Sequence, residues 1–377
     1  MNAIVLFLAA LGAVPEPESV TQQTFFSAET YLEASVRGQE PGLGAYEEDP
    51  LRAEQPPTTF APGAAPYGSA GTIYGPGAAP YGYDPFLGPP PEAGFGGFDP
   101  SLSTGPVGPQ PYRFGWSSRY DVGFLPSSGV SGGGASGDFS IFEFNSAWRY
   151  TTGWPAGFPN TIFSWTPEFN YRSWSGPSNP GLPPNVFRFA SDFELSSPAN
   201  NPISYQLGFT PAFVSDLAAT PNSDAFNWDA RGVVFFRTSQ QLMIALGAAY
   251  LDRVDNIIIP YAGVVWTPND RWELRLLFPK SRISYFLGNW WGSAAWLYGG
   301  VEYNVEAYQI DLVGPSGAHE KIQISDYRAL FGLRTEGSGV TGFVEAGWVF
   351  ARDVQFLHGT PSFDINTGFI ARLGVRF

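Results

Sequence analysis

Charged side chains recur at every second position of apolar segments in the second half of the chain. In "VFRFASDFEL", residues 186–195, Arg188, Asp192 and Glu194 share one parity. Phe189 and Phe193 share the other. Because successive side chains of a strand point to opposite faces, such a segment has one charged and one apolar face. Guanidinium and carboxylate groups on one face either pair with each other or orient water and charged solutes. The pattern therefore predicts electrostatic chemistry.

Nucleophilic and metal chemistry have little support in the sequence. The two histidines, His319 and His358, lie in predicted loops, and no neighbouring serine motif identifies a nucleophile. A hydrolase that joined them with Asp311 or Asp364 is the least favoured function. The chain has no Cys, and "DRVDN" at Asp252 lacks the glycine and distal Glu of a calcium loop. We expect no enzyme activity, no metal and no cofactor.

Composition restricts the class of protein. The 377 residues are 16% aromatic and 14% charged, and no run of 18 or more apolar residues could form a membrane-spanning helix. The net charge of −14 argues against nucleic acid as a partner, because phosphate binding requires a basic surface. Most of the net negative charge lies in residues 1–111, which contain 2 Arg and 12 Asp or Glu.

The first 111 residues differ in character from the rest. The apolar stretch Ala3–Leu11, followed by small residues, predicts a signal peptide over residues 1–13, although no Lys or Arg precedes it; a buried helix is the alternative. Residues 14–111, acidic and then rich in Pro and Gly, are predicted to be a disordered linker, because they bury too little apolar surface to offset the entropy of ordering.

Residues 112–377 consist of segments of about ten residues with period-two alternation, separated by turn residues, as in a transmembrane β-barrel. We predict fourteen strands, near residues 112–124, 138–152, 161–174, 185–195, 203–214, 228–238, 241–252, 257–267, 271–278, 282–288, 292–309, 320–335, 340–354 and 367–377. Short turns follow even-numbered strands, which favours this count; merging 271–288 around Pro279 would make it odd, and twelve strands is the alternative. The predicted fold is an all-β antiparallel transmembrane barrel of 12–14 strands after a disordered N-terminal region.

Two features disturb the alternation. Pro167, Pro211 and Pro260 fall inside predicted strands, where each removes a ladder donor, so we expect strand ends or bulges there. At Gly299–Gly300 the aromatic residues change phase, and we expect a bulge.

Aromatic residues near strand ends predict a girdle at a membrane interface. They are Trp116, Trp148, Tyr150, Trp165, Tyr171, Trp174, Trp266, Trp272, Trp296, Tyr298 and Trp348. The last strand, "GFIARLGVRF", carries Leu373, Val375 and the terminal Phe377 at alternate positions. This ending resembles the assembly signal of bacterial outer-membrane barrels, particularly uncharacterised porin-like families with a Pro/Gly-rich N-terminal extension.

The resemblance implies a location in the bacterial outer membrane, with lipid and the barrel-assembly machinery as partners. It also implies that Phe377, Val375 and Leu373 form the assembly signal. If the N-terminus is periplasmic, the connections after odd-numbered strands face outward, and the N-terminal tail is free to reach cell-wall or periplasmic components.

Parity assigns many charged side chains to the interior, because an arginine facing lipid near the midplane would cost about 2–4 kcal/mol. The candidate interior residues are Arg119, Arg149, Glu168, Arg172, Arg188, Asp192, Glu194, Arg231, Arg237, Glu302, Arg328, Arg334, Glu345 and Arg372. Either they line a water-filled channel or they pair across strands. The favoured function is a passive channel for small hydrophilic solutes or ions; the alternatives are a non-conducting structural or anchoring barrel and, last, an outer-membrane hydrolase.

Overall fold

A computed structural model describes residues 114–153, 161–198, 202–239, 241–291, 293–314, 317–336 and 340–377. The predicted signal peptide and linker lie outside these residues. The described strands are β1 (Gly115–Ser131), β2 (Asp138–Gly153), β3 (Ile162–Ser175), β4 (Asn185–Ser196), β5 (Ile203–Ser215), β6 (Phe226–Arg237), β7 (Leu242–Leu251), β8 (Ile257–Asn269), β9 (Trp272–Phe278), β10 (Lys280–Trp290), β11 (Ser293–Asp311), β12 (His319–Glu336), β13 (Thr341–Phe356), β14 (Phe363–Ile365) and β15 (Gly368–Arg376). In the residues that the structure describes, no helix is long and apolar enough to cross a membrane.

The described strands close into a ring. Each of β1 to β13 pairs antiparallel with the next, β13 pairs with β15, and β15 pairs with β1 through Tyr120↔Val375 and its neighbours. Phe377 completes the closure, because its N–H donates to the Ser118 carbonyl at 2.9 Å. The ring thus contains fourteen strands in the described part of the chain, which confirms the predicted count and the split at Pro279. The short β14 fills the gap between β13 and β1.

A second, smaller circuit of pairings closes at one end of the ring. We call this end, opposite Gly115 and Phe377, the mouth. There β11 meets β5 in a parallel bridge, Gln309↔Ser215. The bridge completes a circuit of nine strands: β11, β12, β13, β14, β1, β2, β3, β4 and β5. The sheet therefore curls inward at the mouth, and β6 to β10 remain outside the smaller circuit.

Proline is tolerated inside the strands without the predicted ends or bulges. Pro167 in β3 and Pro211 in β5 keep the same register on both sides, and the ladder to one neighbour is interrupted only locally. Pro260 pairs with Ala248 of β7 but lies beyond the β8–β9 ladder, which begins at Ala262. The prediction was wrong because a missing donor removes a few bonds on one side without displacing the strand.

The bulge predicted at Gly299–Gly300 is also absent, since β11 keeps one register with β12 from Ala294 to Asp311. The apparent change of phase arises because Trp296 and Tyr298 point into the ring rather than toward the outside. The register of β10 with β11 instead shifts between Phe286 and Gly288.

Two large apolar clusters lie inside the ring in the described part of the chain, beside a smaller one of Phe286, Ala294 and Trp296. The mouth core includes Phe139, Trp174, Val186, Val214, Tyr308, Ile310, Ile322, Val354 and Phe363. The flank cluster joins the inner faces of β6 to β9 to Val305 of β11. Side chains of β11 therefore pack on both of its faces near the mouth, because this part of the strand lies within the ring.

Candidate functional site: the charged interior

The two faces of the ring have opposite character. Along β3, Ser164, Thr166, Glu168, Asn170 and Arg172 are buried inside. The outer face is apolar, with large exposed side chains such as Ile258, Phe331 and Leu373. Water would disfavour such a surface, whereas lipid suits it, and closure leaves no strand edge unsatisfied in the bilayer.

The chain is a transmembrane β-barrel. No family model matches it, and no curated protein is similar in sequence. Among solved structures, the NanC porin is 9% identical, with 69% of this chain and 98% of that one covered, at a TM-score of 0.33. The Pseudomonas putida toluene transporter TodX is 7% identical, with coverage of 71% and 90% and a TM-score of 0.36. An outer-membrane channel of Pseudomonas putida F1 is 10% identical, with coverage of 71% and 97% and a TM-score of 0.36.

The closed strand pairing and the apolar outer face of this chain are what indicate a barrel that spans a membrane.

Of the eleven predicted girdle residues, Trp174, Trp296 and Tyr298 are buried inside the barrel, so their assignment to the girdle was wrong. The others lie on the outer face, partly or largely exposed.

All fourteen candidate residues have the inward parity of their strands. Twelve are buried, and Arg149 and Arg237 are half-buried. The structure brings most of them together in ion pairs rather than leaving isolated charges along a wall.

One cluster joins β2, β4, β5 and β6. Arg231 binds Asp192 at 2.6 Å and Glu194 at 2.9 Å, and Arg149 binds the other oxygen of Glu194 at 2.6 Å. Thr210 donates to Asp192 at 2.6 Å. Two carboxylates and two guanidinium groups therefore neutralise each other inside the barrel. In the neighbouring pair, Arg188 binds Glu168 at 2.7 Å.

A second cluster joins β10, β11, β13 and β15. Arg372 bridges Glu302 at 2.7 Å and Glu345 at 2.6 Å, while Lys280 binds Glu302 at 2.5 Å. Tyr298 donates to Glu345 at 2.8 Å. The two predicted carboxylates thus share one arginine, and Tyr298, which sequence parity had placed outside, is part of the polar network.

Further pairs connect strands that are not neighbours. Arg328 of β12 binds Glu143 of β2 at 3.0 Å and Asp326 at 2.8 Å. Arg334 of β12 binds Glu273 of β9 at 3.1 Å. Because these partners lie several strands apart, their side chains cross the interior rather than follow the wall.

The longest connection runs beneath the mouth core. Arg172 of β3 pairs with Glu306 of β11 and also donates to Asn145 at 2.8 Å. Asn145 donates to Asp121 at 2.7 Å, and Asp121 pairs with Arg119 at 2.9 Å. A continuous chain of polar contacts thus links β1, β2 and β3 to β11 across the barrel.

The mouth is covered by a hairpin, which we call the mouth hairpin: residues 305–311 of β11 and 319–324 of β12. Gln309 donates to the Thr220 carbonyl at 2.9 Å, and Asp216 accepts from the Asp311 N–H at 2.8 Å. On the other strand, Lys321 binds Asp252 at 3.1 Å, and Glu320 accepts three hydrogen bonds from His358 and Thr360. Loops on several sides therefore hold the hairpin.

His358 lies in this loop layer, as the sequence predicted, whereas His319 was predicted in a loop but is the first residue of β12. His319 pairs with Asp311, as considered from the sequence, but His358 pairs with Asp224 at 2.8 Å and not with Asp364. Among the described residues, neither imidazole is hydrogen-bonded to a hydroxyl group, and no group of three or more potential ligands is arranged for a metal. The His358–Asp224 pair joins two loops, and the His319–Asp311 pair joins the ends of β11 and β12 in the mouth hairpin.

Proposed function

We propose that the protein is a passive outer-membrane channel for small hydrophilic solutes or ions. The observation that carries the proposal is the charged interior, which combines guanidinium and carboxylate groups inside a ring of fourteen strands. About eight strands enclose a space that side chains fill, so fourteen enclose more than packing requires. Buried ion pairs seldom stabilise a protein more than apolar side chains of similar volume. Stability alone therefore does not explain these charges, and contact with hydrated solutes does.

In the proposed channel, the mouth hairpin is the barrier. The mouth core above Arg172 and Glu306 offers no partner for a hydrated ion, so passage requires the hairpin to move. Apolar packing of Tyr308, Ile310 and Ile322 in the mouth core holds it, together with hydrogen bonds to the loops and a few ion pairs, so openings should be rare.

Conductance of the purified full chain in planar bilayers tests this proposal. We expect brief, infrequent openings from the wild type. Tyr308→Ala should increase the open time, because Tyr308 packs on Trp174 at 5.8 Å in the mouth core and donates to Glu306. Tyr250→Ala is the matched control, since Tyr250 lies exposed on the outer face of β7 and should leave conductance unchanged.

If neither the wild type nor Tyr308→Ala conducts, the result would contradict a channel. It would favour the second candidate, a non-conducting structural or anchoring barrel. The observation in favour of that candidate is the mouth core itself, which buries aromatic and aliphatic side chains across the opening. In that case the N-terminal tail would reach cell-wall components. Co-sedimentation of the full chain, but not of a chain without residues 14–111, with purified peptidoglycan would support it.

A further inference from the structure

An open groove lies at the end of the barrel opposite the mouth. It runs between the β8–β9 turn, residues 269–272, and the last part of β10, residues 285–288, and its volume is about 890 Å³. The last pair of β10 with β9 is Tyr285↔Trp272, but β10 continues to Trp290. The β10–β11 hairpin therefore projects past the turn and forms one wall of the groove.

Aromatic side chains place the groove at a membrane interface. Trp272 and Tyr285 lie side by side on the outer face, with ring centroids 4.8 Å apart. Leu287, on the same face of β10, is 40% exposed. Trp and Tyr are enriched where the hydrocarbon layer meets the lipid headgroups. The apolar part of the groove therefore faces acyl chains, and the turn beyond Trp272 lies among the headgroups.

The turn carries two charges of opposite sign. Asp270 and Arg271 are exposed, and neither forms an ion pair with a residue that the structure describes. Arg271 Nη1 lies 3.5 Å from the Tyr285 hydroxyl, so the guanidinium extends over the groove with most of its donors unused. Both charges are thus available to a ligand.

Backbone contacts fix the position of these charges. The Asn269 side-chain oxygen accepts from the N–H groups of Arg271 and Trp272, at 3.0 and 3.2 Å. The Arg271 carbonyl accepts from the Phe286 N–H at 2.8 Å, which ties the turn to β10. Binding a ligand therefore requires ordering of two side chains and not of the loop that carries them.

We propose that this groove binds a phospholipid whose headgroup joins a phosphate to a primary ammonium, as in phosphatidylethanolamine. Arg271 binds the phosphate, because hydrogen bonds between guanidinium and phosphate are charge-assisted and can be bidentate. Asp270 accepts from the ammonium, while Trp272 and Leu287 contact the acyl chains. A phosphatidylglycerol headgroup has no positive charge, so Asp270 would repel it. The site does not depend on whether the barrel conducts.

Native mass spectrometry of the full chain, refolded in lipid-free detergent, tests the site. The protein is mixed with equal amounts of phosphatidylethanolamine and phosphatidylglycerol that have the same acyl chains. The wild type should retain phosphatidylethanolamine in preference. Arg271→Gln should weaken binding of both lipids about tenfold, through loss of a charged hydrogen bond. Asp270→Asn should abolish the preference. Asp255→Asn is the control, because Asp255 is exposed at the mouth and should leave binding unchanged.

Carbodiimide coupling in the same lipid mixture locates the headgroup. The reagent joins a carboxylate to a primary amine in contact with it as an amide, so the peptide that contains Asp270 should gain the lipid. Phosphatidylcholine, whose nitrogen is quaternary, should give no product. Equal retention of the two lipids by the wild type, unchanged binding in Arg271→Gln, or coupling at Asp270 no greater than at Asp255 would overturn the proposal.

Discussion

Arg172 and Glu306 are joined by two hydrogen bonds, Nε to Oε2 at 3.0 Å and Nη2 to Oε1 at 2.7 Å, although their strands lie six places apart in the ring. The pair therefore crosses the barrel. It stands directly below the mouth core, where Tyr308 also donates to Glu306 at 2.9 Å. Removal of either partner leaves a buried charge without its counter-ion.

The first prediction concerns this pair. Arg172→Met should lower the free energy of unfolding by about 3–5 kcal/mol, because the Glu306 carboxylate would remain buried and uncompensated. The double variant Arg172→Met, Glu306→Met should regain most of that loss. Urea unfolding of the refolded proteins in detergent measures both values, and equal destabilisation by the single and double variants would show that the pair does not act as a unit.

The second prediction concerns the outer face. Phe189 is 44% exposed on β4, so Phe189→Arg should impair insertion by about 2–4 kcal/mol if the position lies near the bilayer centre. Phe189→Leu is the control and should insert normally. Folding into liposomes, followed by the heat-dependent gel shift, compares the two, and similar yields would contradict the assignment of this face to lipid.

A third prediction concerns the last residue. Phe377 closes the ring through backbone bonds to Ser118, and its ring lies 6.4 Å from Tyr120. Burial of a whole Phe side chain is worth about 1.5–3 kcal/mol. Phe377 is 39% exposed, so its loss should cost less than that, and a large barrel should survive it. If Phe377 is also read by the assembly machinery, its deletion should lower abundance in the outer membrane of cells while refolding in detergent stays nearly normal. Normal insertion in cells, or failure in both settings, would refute the recognition role.

The fourth prediction concerns the N-terminal region. Every strand pairing of the ring lies between Gly115 and Arg376, so a chain starting near Pro109 behind a standard signal peptide should still fold. Heat-modifiable migration of this truncated protein is the expected result. Its absence, with the full chain migrating normally in parallel, would mean that residues 14–108 contribute to the barrel.

Alternation in the sequence predicted the wall of the barrel well. Alternate side chains are polar from Ser164 to Arg172 on β3, and most inward side chains of β4 are polar too, so the inward positions of Glu168 and Arg188 follow from the period of a strand alone. The partners of these residues could not be predicted. Period two assigns a face, but Arg172 meets Glu306 only because the sheet curls inward at the mouth.

The inward curl has a weak signal in the sequence. In "VEAYQID", residues 305–311, apolar residues occupy both parities, which indicates burial on both faces. The inward position of Arg352 has an even weaker signal in the sequence. It depends on a bulge in β13, where Ala351 adopts a left-handed conformation, and the bulge interrupts the alternation. Trp296 and Tyr298 were misassigned because aromatic residues suit a membrane interface and a packed interior equally.

The short β9–β10 hairpin has a consequence for the surrounding bilayer. β9 has seven residues, whereas a tilted strand needs about 9–11 to cross the hydrocarbon layer. The neighbouring strand, β11, continues from Glu302 at the level of the β9–β10 turn to Asp311, but that extension leaves the lipid-facing wall. The apolar band on the outer face is therefore narrowest beside β9. Either the bilayer becomes thinner there or the barrel tilts toward that side. Membranes of short-chain lipids should accommodate the protein with the least distortion.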